Sequence, residues 1–271
     1  MRRAGRKFSA RRDRRQTALC PFERLQAAPV GVNWQDFERL AAGLPARTKA
    51  AAIRRAVGAE RLLLGIDRLD YTKGILERLG AYELFLQNNP HYIGKVSLVQ
   101  IGVPSRSDIS DYRDLKVKIE EAVGRINGRY DRIGGPVPVR YICGSFGKED
   151  LVAYYLAADV ALVTALRDGL NLVAKEFVSC RLNNTGVLVL SRFAGAAEEL
   201  KEAVLINPYD REGLARAIST ALEMPAEEAA ARMKALRRTV QKNDLYLWWQ
   251  NTISRILPPR VDAALSLPAD A

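Results

Sequence analysis

From residue 61 onward, short runs of consecutive apolar residues alternate with longer stretches in which apolar positions recur every three or four residues. The runs are "RLLLGI" (61–66), "KVSLVQIG" (95–102), "VPVRYI" (137–142), "DVALVT" (159–164), "GVLVLS" (186–191) and "AVLIN" (203–207). Runs that are almost continuously apolar predict strands covered on both faces, as in a parallel sheet. Between them, Ile75, Leu79, Tyr82 and Leu86 form one helical stripe, and Tyr112, Leu115, Ile119 and Val123 form a second. "EDLVAYYLAA" and "LNLVAKEFVSCR" supply two further helices, and the chain after Asp210 is helical throughout, ending in "NDLYLWWQNTISRIL". Six strands with intervening helices predict one α/β domain, a doubly wound parallel sheet of Rossmann type. Neither an internal repeat nor a long linker interrupts it after residue 30.

In such a sheet, ligands bind beyond the carboxyl ends of the strands, where the strand order reverses. The loops to inspect are therefore "DRLDYTKG", "VPSRSD", "CGSFGKED" and "ALRDGLN". Arg68 and Lys73 in the first are two cations able to receive a diphosphate, Arg bidentately and Lys as a point charge. The alternative is local: Arg68 pairs with Asp67 or Asp70, and Lys73 is solvated. The missing GxGxxG pattern counts against a simple NAD-binding domain. Arg106 precedes a helix expected to start near Ser107 or Asp108, where a cation is justified by a nearby anion or by a surface ion pair.

"RDGLNLVAKEF" (167–177) turns at Asp168-Gly169 into a helix expected from about Leu170. The first amides of that helix, at Asn171 and Leu172, then face the crevice and make an anion site. Asp168 is either its cap or a ligand group. Leu170, Val173, Ala174 and Phe177 are expected to face the sheet, while Asn171 and Lys175 share a face. The Glu176 carboxylate, in a crevice lined by cations, is placed to accept hydrogen bonds from sugar hydroxyls. These residues point to an anionic, hydroxyl-bearing ligand such as a nucleotide sugar.

Charge and composition narrow the remaining classes. The 271 residues carry a net charge of +11, but "MRRAGRKFSARRDRR" alone holds eight Arg/Lys against one Asp. Residues 1–28 are therefore expected to be a disordered basic arm, and 29–271 the folded domain. Phe8 is the only aromatic among residues 1–15, a run that lacks the repeated interleaving of a nucleic-acid arm, which argues against nucleic acid as a partner. The hydrophobic fraction of 48% suffices for a core, yet no apolar stretch approaches the ~18–20 residues of a membrane span. Neither a membrane nor an export signal is indicated, and a cytoplasmic location is expected. Cys20, Cys143 and Cys180 are widely spaced, without a CxxC pair, and His91 is the single histidine. A disulfide framework, a metal site and histidine catalysis are all disfavoured.

The stretches "LLGIDRLDYTKGILERL", "GVPSRSD", "VGRINGRY", "DVALVTALRDGLNLVAKEFV" and "GVLVLSRFAGAAEELKEAVLINPYD" stand in the order and spacing found in trehalose-6-phosphate synthases. The chain resembles that family, glycosyltransferase family 20, which also includes glucosylglycerol-phosphate synthase, over roughly residues 29–257. The resemblance implies a GT-B enzyme whose C-terminal Rossmann-like domain binds UDP-glucose or another NDP-glucose. Arg68 and Lys73 match the family's diphosphate pair, and Asp168 the aspartate on the donor glucose hydroxyls. Gly169, Leu170, Asn171 and Leu172 match its backbone segment at sugar and phosphate, and Glu176 its ribose contact. Phe146 falls at the uracil and Arg106 at the acceptor phosphate.

The implied reaction is glucosyl transfer with retention to glucose 6-phosphate, giving trehalose 6-phosphate, and Arg68, Lys73 and Asp168 take the catalytic roles. No metal or other cofactor is required, since the two cations and the helix N-terminus stabilise the departing diphosphate. Glycerol 3-phosphate is the alternative acceptor. The family's N-terminal domain, with its glycine-rich loop and histidine, has no counterpart among these residues. The chain is thus expected to be the donor-binding half, completed by an N-terminal partner domain or chain, or else a truncated, non-catalytic nucleotide-sugar module. In the family the "LYLWWQ" helix packs on that other domain, so Trp248 or Trp249 is expected either exposed or folded against this domain's own helices.

Overall fold

The computed structural model describes residues 29–104 and 110–256. The basic segment 1–28, Cys20, Arg106 and the helix start expected near Ser107 lie outside the described residues. Six strands, β1 (Arg61–Arg68), β2 (Val96–Val103), β3 (Val139–Cys143), β4 (Val160–Val163), β5 (Val187–Ser191) and β6 (Val204–Ile206), form one sheet in the order β3-β2-β1-β4-β5-β6. Every pairing is parallel. The chain steps outward from β1 to β3, then returns to β4 beside β1 and steps the other way. The order therefore reverses between β1 and β4.

The helices are divided between the two faces of the sheet. On one side lie α3 (Ile75–Asn88), α4 (Ser110–Tyr130) and α7 (Arg211–Glu223). On the other lie α1 (Trp34–Ala42), α2 (Leu44–Val57), α5 (Lys148–Ala157), α6 (Leu172–Cys180) and α8 (Ala226–Lys242). Alternate side chains of a strand point to opposite faces, and β1 shows the consequence: Leu62, Leu64 and Ile66 enter one core and Leu63 the other. Both faces of the sheet are covered, which is why its strands have continuous apolar sequences.

Helices α1 and α2 were not foreseen. Asn33 caps α1 by accepting the Asp36 amide at 3.2 Å, and α2 has Pro45 in its first turn and ends at Gly58, whose φ is 70°. The face of α1 buries Phe37 and Ala41, and that of α2 buries Ala46, Ala50 and Val57. Arg54 fixes α2 to α5, donating to the Ala157 carbonyl at 2.6 Å and to Asp159 at 3.1 Å. Residues 30–32 then run against the α8–α9 junction, where the Leu245 amide donates to the Val32 carbonyl. A Cβ on Gly31 would lie 2.2 Å from the Asp244 carbonyl carbon, so only glycine permits this approach. The last helix, α9 (Leu245–Ile256), leaves Trp249 57% exposed and Trp248 half-buried, with Tyr246 and Leu247 also exposed.

At the reversal point a cation lies inside the protein. Arg78 of α3 is completely buried; its Nη1 donates to Asp67 at 2.6 Å and to Gln100 at 2.7 Å, and its Nε to the Thr164 hydroxyl at 3.1 Å. Three adjacent strand ends, those of β1, β2 and β4, thus meet on one guanidinium. A Cβ on Gly65 would come within 2.2 Å of Arg78 Nη1, so β1 needs glycine beneath it. Removing one member of a buried pair leaves the other charge without compensation, at about 3–5 kcal/mol. Arg78→Met is therefore expected to lower stability in urea unfolding by that amount. The double variant Asp67→Asn/Arg78→Met should recover part of the loss.

Candidate functional site

The site begins where β1 ends. Arg68 is exposed and has no ion-pair partner among the described residues. Neither neighbouring carboxylate takes it: Asp67 turns inward to Arg78, and Asp70 accepts the Thr72 amide at 2.9 Å and the Thr72 hydroxyl at 2.8 Å. That capping starts the 3-10 turn Tyr71–Lys73. Gly74 follows with φ 65°, and a Cβ there would lie 2.2 Å from the Thr164 carbonyl oxygen. The Thr164 hydroxyl, which accepts from Arg78, donates to the Gly74 carbonyl at 3.0 Å. The amides of Leu166 and Arg167 donate to the Thr72 carbonyl at 2.8 and 3.3 Å. The loops leaving β1 and β4 are therefore bonded to each other.

Their union brings Lys73 Nζ to 2.6 Å from Asp168 Oδ2, with each side chain only 13% exposed. Lys73 is thus paired rather than solvated, while Arg68 stays free at the same strand end. Asp168 also accepts from the Leu170 amide and from Asn171 Nδ2, both at 3.2 Å. Burial pushes the Asp168 carboxyl upward, but the bond from Lys73 and the other donors outweigh it and hold the group below its ordinary value.

Helix α6 starts at Leu172, two residues later than expected, and its cap is Asn171, not Asp168. Asn171 takes φ 62° and accepts the Ala174 amide at 3.3 Å. The reason is tertiary. Residues 168–170 are tied to the loop after β5, through Asp168 N to Phe193 O (3.1 Å), Gly195 N to Asp168 O (2.9 Å) and Ala196 N to Leu170 O (2.8 Å). Leu170 consequently points away from the sheet and is 41% exposed; Ala174 and Phe177 are buried as expected, and Val173 is half-buried. The amides of the first turn of α6 have no helical acceptor and form its positive end.

Further along α6, Glu176 is half-buried and accepts the Tyr155 hydroxyl at 2.7 Å. Burial raises its carboxyl above the ordinary value, and the Tyr155 bond opposes that shift. Lys175 faces inward, where Nζ donates to the Val30 carbonyl at 2.8 Å and pairs with Glu199, whose Oε1 accepts from Asn243. Lys175 therefore fastens α6 to the two crossing segments rather than lining the crevice. Phe146 is half-buried after β3, edge-on to Tyr154 with ring centroids 5.5 Å apart.

The structure joins Lys73, Asp168 and Asn171 by direct bonds and puts Arg68 at the strand end beside them. Glu176 lies on the same helix as Asn171, with its own partner. Arg78, Thr164 and Tyr155 were missed. Arg78 had a signal, a cation inside the stripe of Ile75, Leu79 and Tyr82; Tyr155 had none. His91 is exposed before β2, at the opposite end of the sheet, and no cluster of three His, Cys, Asp or Glu able to hold a metal occurs among the described residues. No helix among the described residues is long and apolar enough to cross a membrane.

The pairing predicts a pH response. Because the folded-state value of Asp168 is lowered, the pair's stabilisation is present above the unfolded value near pH ~4 and is lost as pH falls through the folded value. In Lys73→Met, carboxyl-carbon NMR titration should show Asp168 ionising at higher pH than in the parent. The acid-side loss of stability should flatten accordingly.

The sequence pattern of glycosyltransferase family 20 matches residues 9–257, beginning inside the basic segment. A trehalose-6-phosphate synthase of Mycobacterium leprae is 45% identical over 223 residues, covering 82% of this chain and 45% of that protein. A glucosylglycerol-phosphate synthase of Pseudomonas anguilliseptica is 45% identical over 251 residues, covering 90% of this chain and 33% of its own. Among solved structures, the Escherichia coli trehalose-6-phosphate protein bound with UDP-2-fluoro glucose has a TM-score of 0.81 at 39% identity, over 85% of this chain and 51% of that one. The Burkholderia xenovorans trehalose-phosphate synthase in complex with glucose-6-phosphate gives 0.80 at 39% identity, over 86% and 51%. The chain spans about half the length, or less, of these relatives. Its match to the family pattern nonetheless runs over most of its own residues, and the chain belongs to glycosyltransferase family 20.

Proposed function

We propose that this chain is the donor-binding half of a retaining glucosyltransferase that passes glucose from an NDP-glucose, in the first place UDP-glucose, to glucose 6-phosphate, yielding trehalose 6-phosphate. One observation carries the reading: a free Arg68, a Lys73–Asp168 pair and the start of α6 converge where the strand order reverses. A diphosphate entering there meets Arg68, the α6 amides and Lys73, which exchanges its carboxylate partner for phosphate. Asp168, ionised and released from Lys73, then accepts hydrogen bonds from glucose hydroxyls. Glu176 takes the ribose hydroxyls, Phe146 lies beside the base, and Arg106 serves the acceptor phosphate.

In the transfer, the bond from the anomeric carbon to the diphosphate oxygen breaks, and a bond to the acceptor oxygen forms on the same face. The proton of the acceptor hydroxyl passes to the departing phosphate. Arg68, Lys73 and the α6 N-terminus stabilise the charge that develops on that leaving group, the task a metal would otherwise perform, so neither metal nor other cofactor is invoked. The acceptor pocket is assigned to an N-terminal partner domain or chain, and the reaction to a cytoplasmic setting. Glycerol 3-phosphate is the second acceptor, favoured by the Pseudomonas anguilliseptica relative, whose similarity covers 90% of this chain. Without a partner half, the chain would act as a nucleotide-sugar-binding module.

Calorimetric titration with UDP-glucose and GDP-glucose tests the donor assignment. UDP-glucose should bind, and Arg68→Ala and Lys73→Ala should each weaken it about tenfold or more, the expected loss of a charge-assisted bond. Unchanged affinity in both variants would remove the diphosphate assignment, and no binding by the parent chain would remove the donor role. Mixing with a separately produced N-terminal half of a family relative should restore glucosyl transfer.

A further inference from the structure

Glu176 does not stand alone on α6. Tyr155, on the neighbouring helix α5, is 1% exposed, and its hydroxyl donates to Glu176 Oε2 at 2.7 Å. Both ends of Tyr155 are fixed. Its ring packs edge-on against Phe177 at 6.4 Å, and its carbonyl accepts from Arg181 Nη1 at 2.7 Å. The Arg181 guanidinium also lies over that Phe177 ring, 5.3 Å from its centroid. Burial, then the charge of Glu176, raises the phenol well above its ordinary value, so the hydroxyl stays a donor. Glu176 Oε1 has no hydrogen-bond partner among the described residues.

A glutamate carboxylate rotates broadly about its last torsion, and a half-buried one loses affinity for a diol if it must first be oriented. We propose that Tyr155 is a positioning residue: it occupies one acceptor site on Oε2, fixes the plane of the Glu176 carboxylate and leaves Oε1 directed to a vicinal diol of the ligand. This rests on the reading of Glu176 as the ribose contact, and it makes the site selective for nucleotides that retain both ribose hydroxyls. A purely structural tyrosine would weaken all ligands alike; a positioning one weakens only those that use Glu176.

The test is calorimetry on the full chain with UDP and with 2′,3′-dideoxyuridine 5′-diphosphate. Tyr155→Phe should bind UDP about tenfold more weakly while leaving the dideoxy nucleotide unaffected. In a Glu176→Gln background, adding Tyr155→Phe should cause no further loss, the mark of two residues acting as one. Glu176→Asp, which keeps the charge but withdraws the carboxylate from Tyr155, should show the same selective loss, and it serves if Tyr155→Phe does not fold. If Tyr155→Phe binds UDP as tightly as the parent while Glu176→Gln does not, the positioning role is overturned and the ribose reading survives. Equal losses for both nucleotides overturn it too. If Glu176→Gln keeps the full preference for UDP over the dideoxy nucleotide, the ribose reading fails, and the proposal fails with it.

Discussion

A buried arginine holds the reversal point of the sheet together. Where β1 and β4 lie side by side, their connections depart in opposite directions, and the crevice between them would leave polar strand ends without partners. Arg78 meets Asp67, Gln100 and Thr164 there, one group from each of three strands. Thr164 passes the constraint on to the Gly74 carbonyl, which lies one peptide beyond Lys73. The position of Lys73 is thus traceable to the buried arginine. Desolvating a guanidinium is expensive; the bonds from Nη1 and Nε offset that cost, while the buried Nη2 has no hydrogen-bond partner among the described residues, and the bonds that are made leave the turn little freedom to drift.

From that fixed turn the remaining site follows by short steps. Lys73 reaches Asp168, and Asp168 is set by the bridge to the loop after β5. Asn171 begins α6 only where that bridge ends, so the free amides of the helix appear beside the ion pair. Lys175 on the inner face of α6 then fastens the helix to residues 30 and 199, next to the crossing of the first and last described segments. Adjacent positions on one helix have different settings: Lys175 anchors it inside, and Glu176 is half-buried with the Tyr155 hydroxyl on its carboxylate. The Lys73–Asp168 pair compensates both charges; on the proposed function, a diphosphate and a sugar would replace each one's partner.

Much of the fold was legible because strands covered on both faces must be continuously apolar, and all six observed strands fall within the expected runs or within two residues of them. Helices α1 and α2 were not foreseen: α1 does carry an apolar face, Trp34, Phe37 and Ala41, but over only nine residues, and α2 buries mainly Ala46 and Ala50, with Val57 at its end, which give little periodic signal. In the site, the loops and their charges were legible, but not how the charges pair. Arg68 had two carboxylates within reach in sequence, and both were claimed by bonds that depend on tertiary structure, one by Arg78 and the other by the turn. The helix start at Leu172 was equally hidden, since Asp168 and Asn171 are both good capping residues and only the bridge to Ala194 decides between them. Tyr155 sits in a helix that is apolar on most sides, where nothing in the pattern marks a hydroxyl with a partner.

The central claim is that Lys73 exchanges Asp168 for phosphate when a nucleotide sugar binds between β1 and α6. A crystal structure of this chain with UDP-glucose tests it most directly. The account predicts diphosphate oxygens within hydrogen-bonding distance of Arg68, Lys73 and the first amides of α6, with Asp168 turned to the glucose hydroxyls. A nucleotide bound elsewhere, or one bound there with the Lys73–Asp168 pair intact and Arg68 still free, would contradict it.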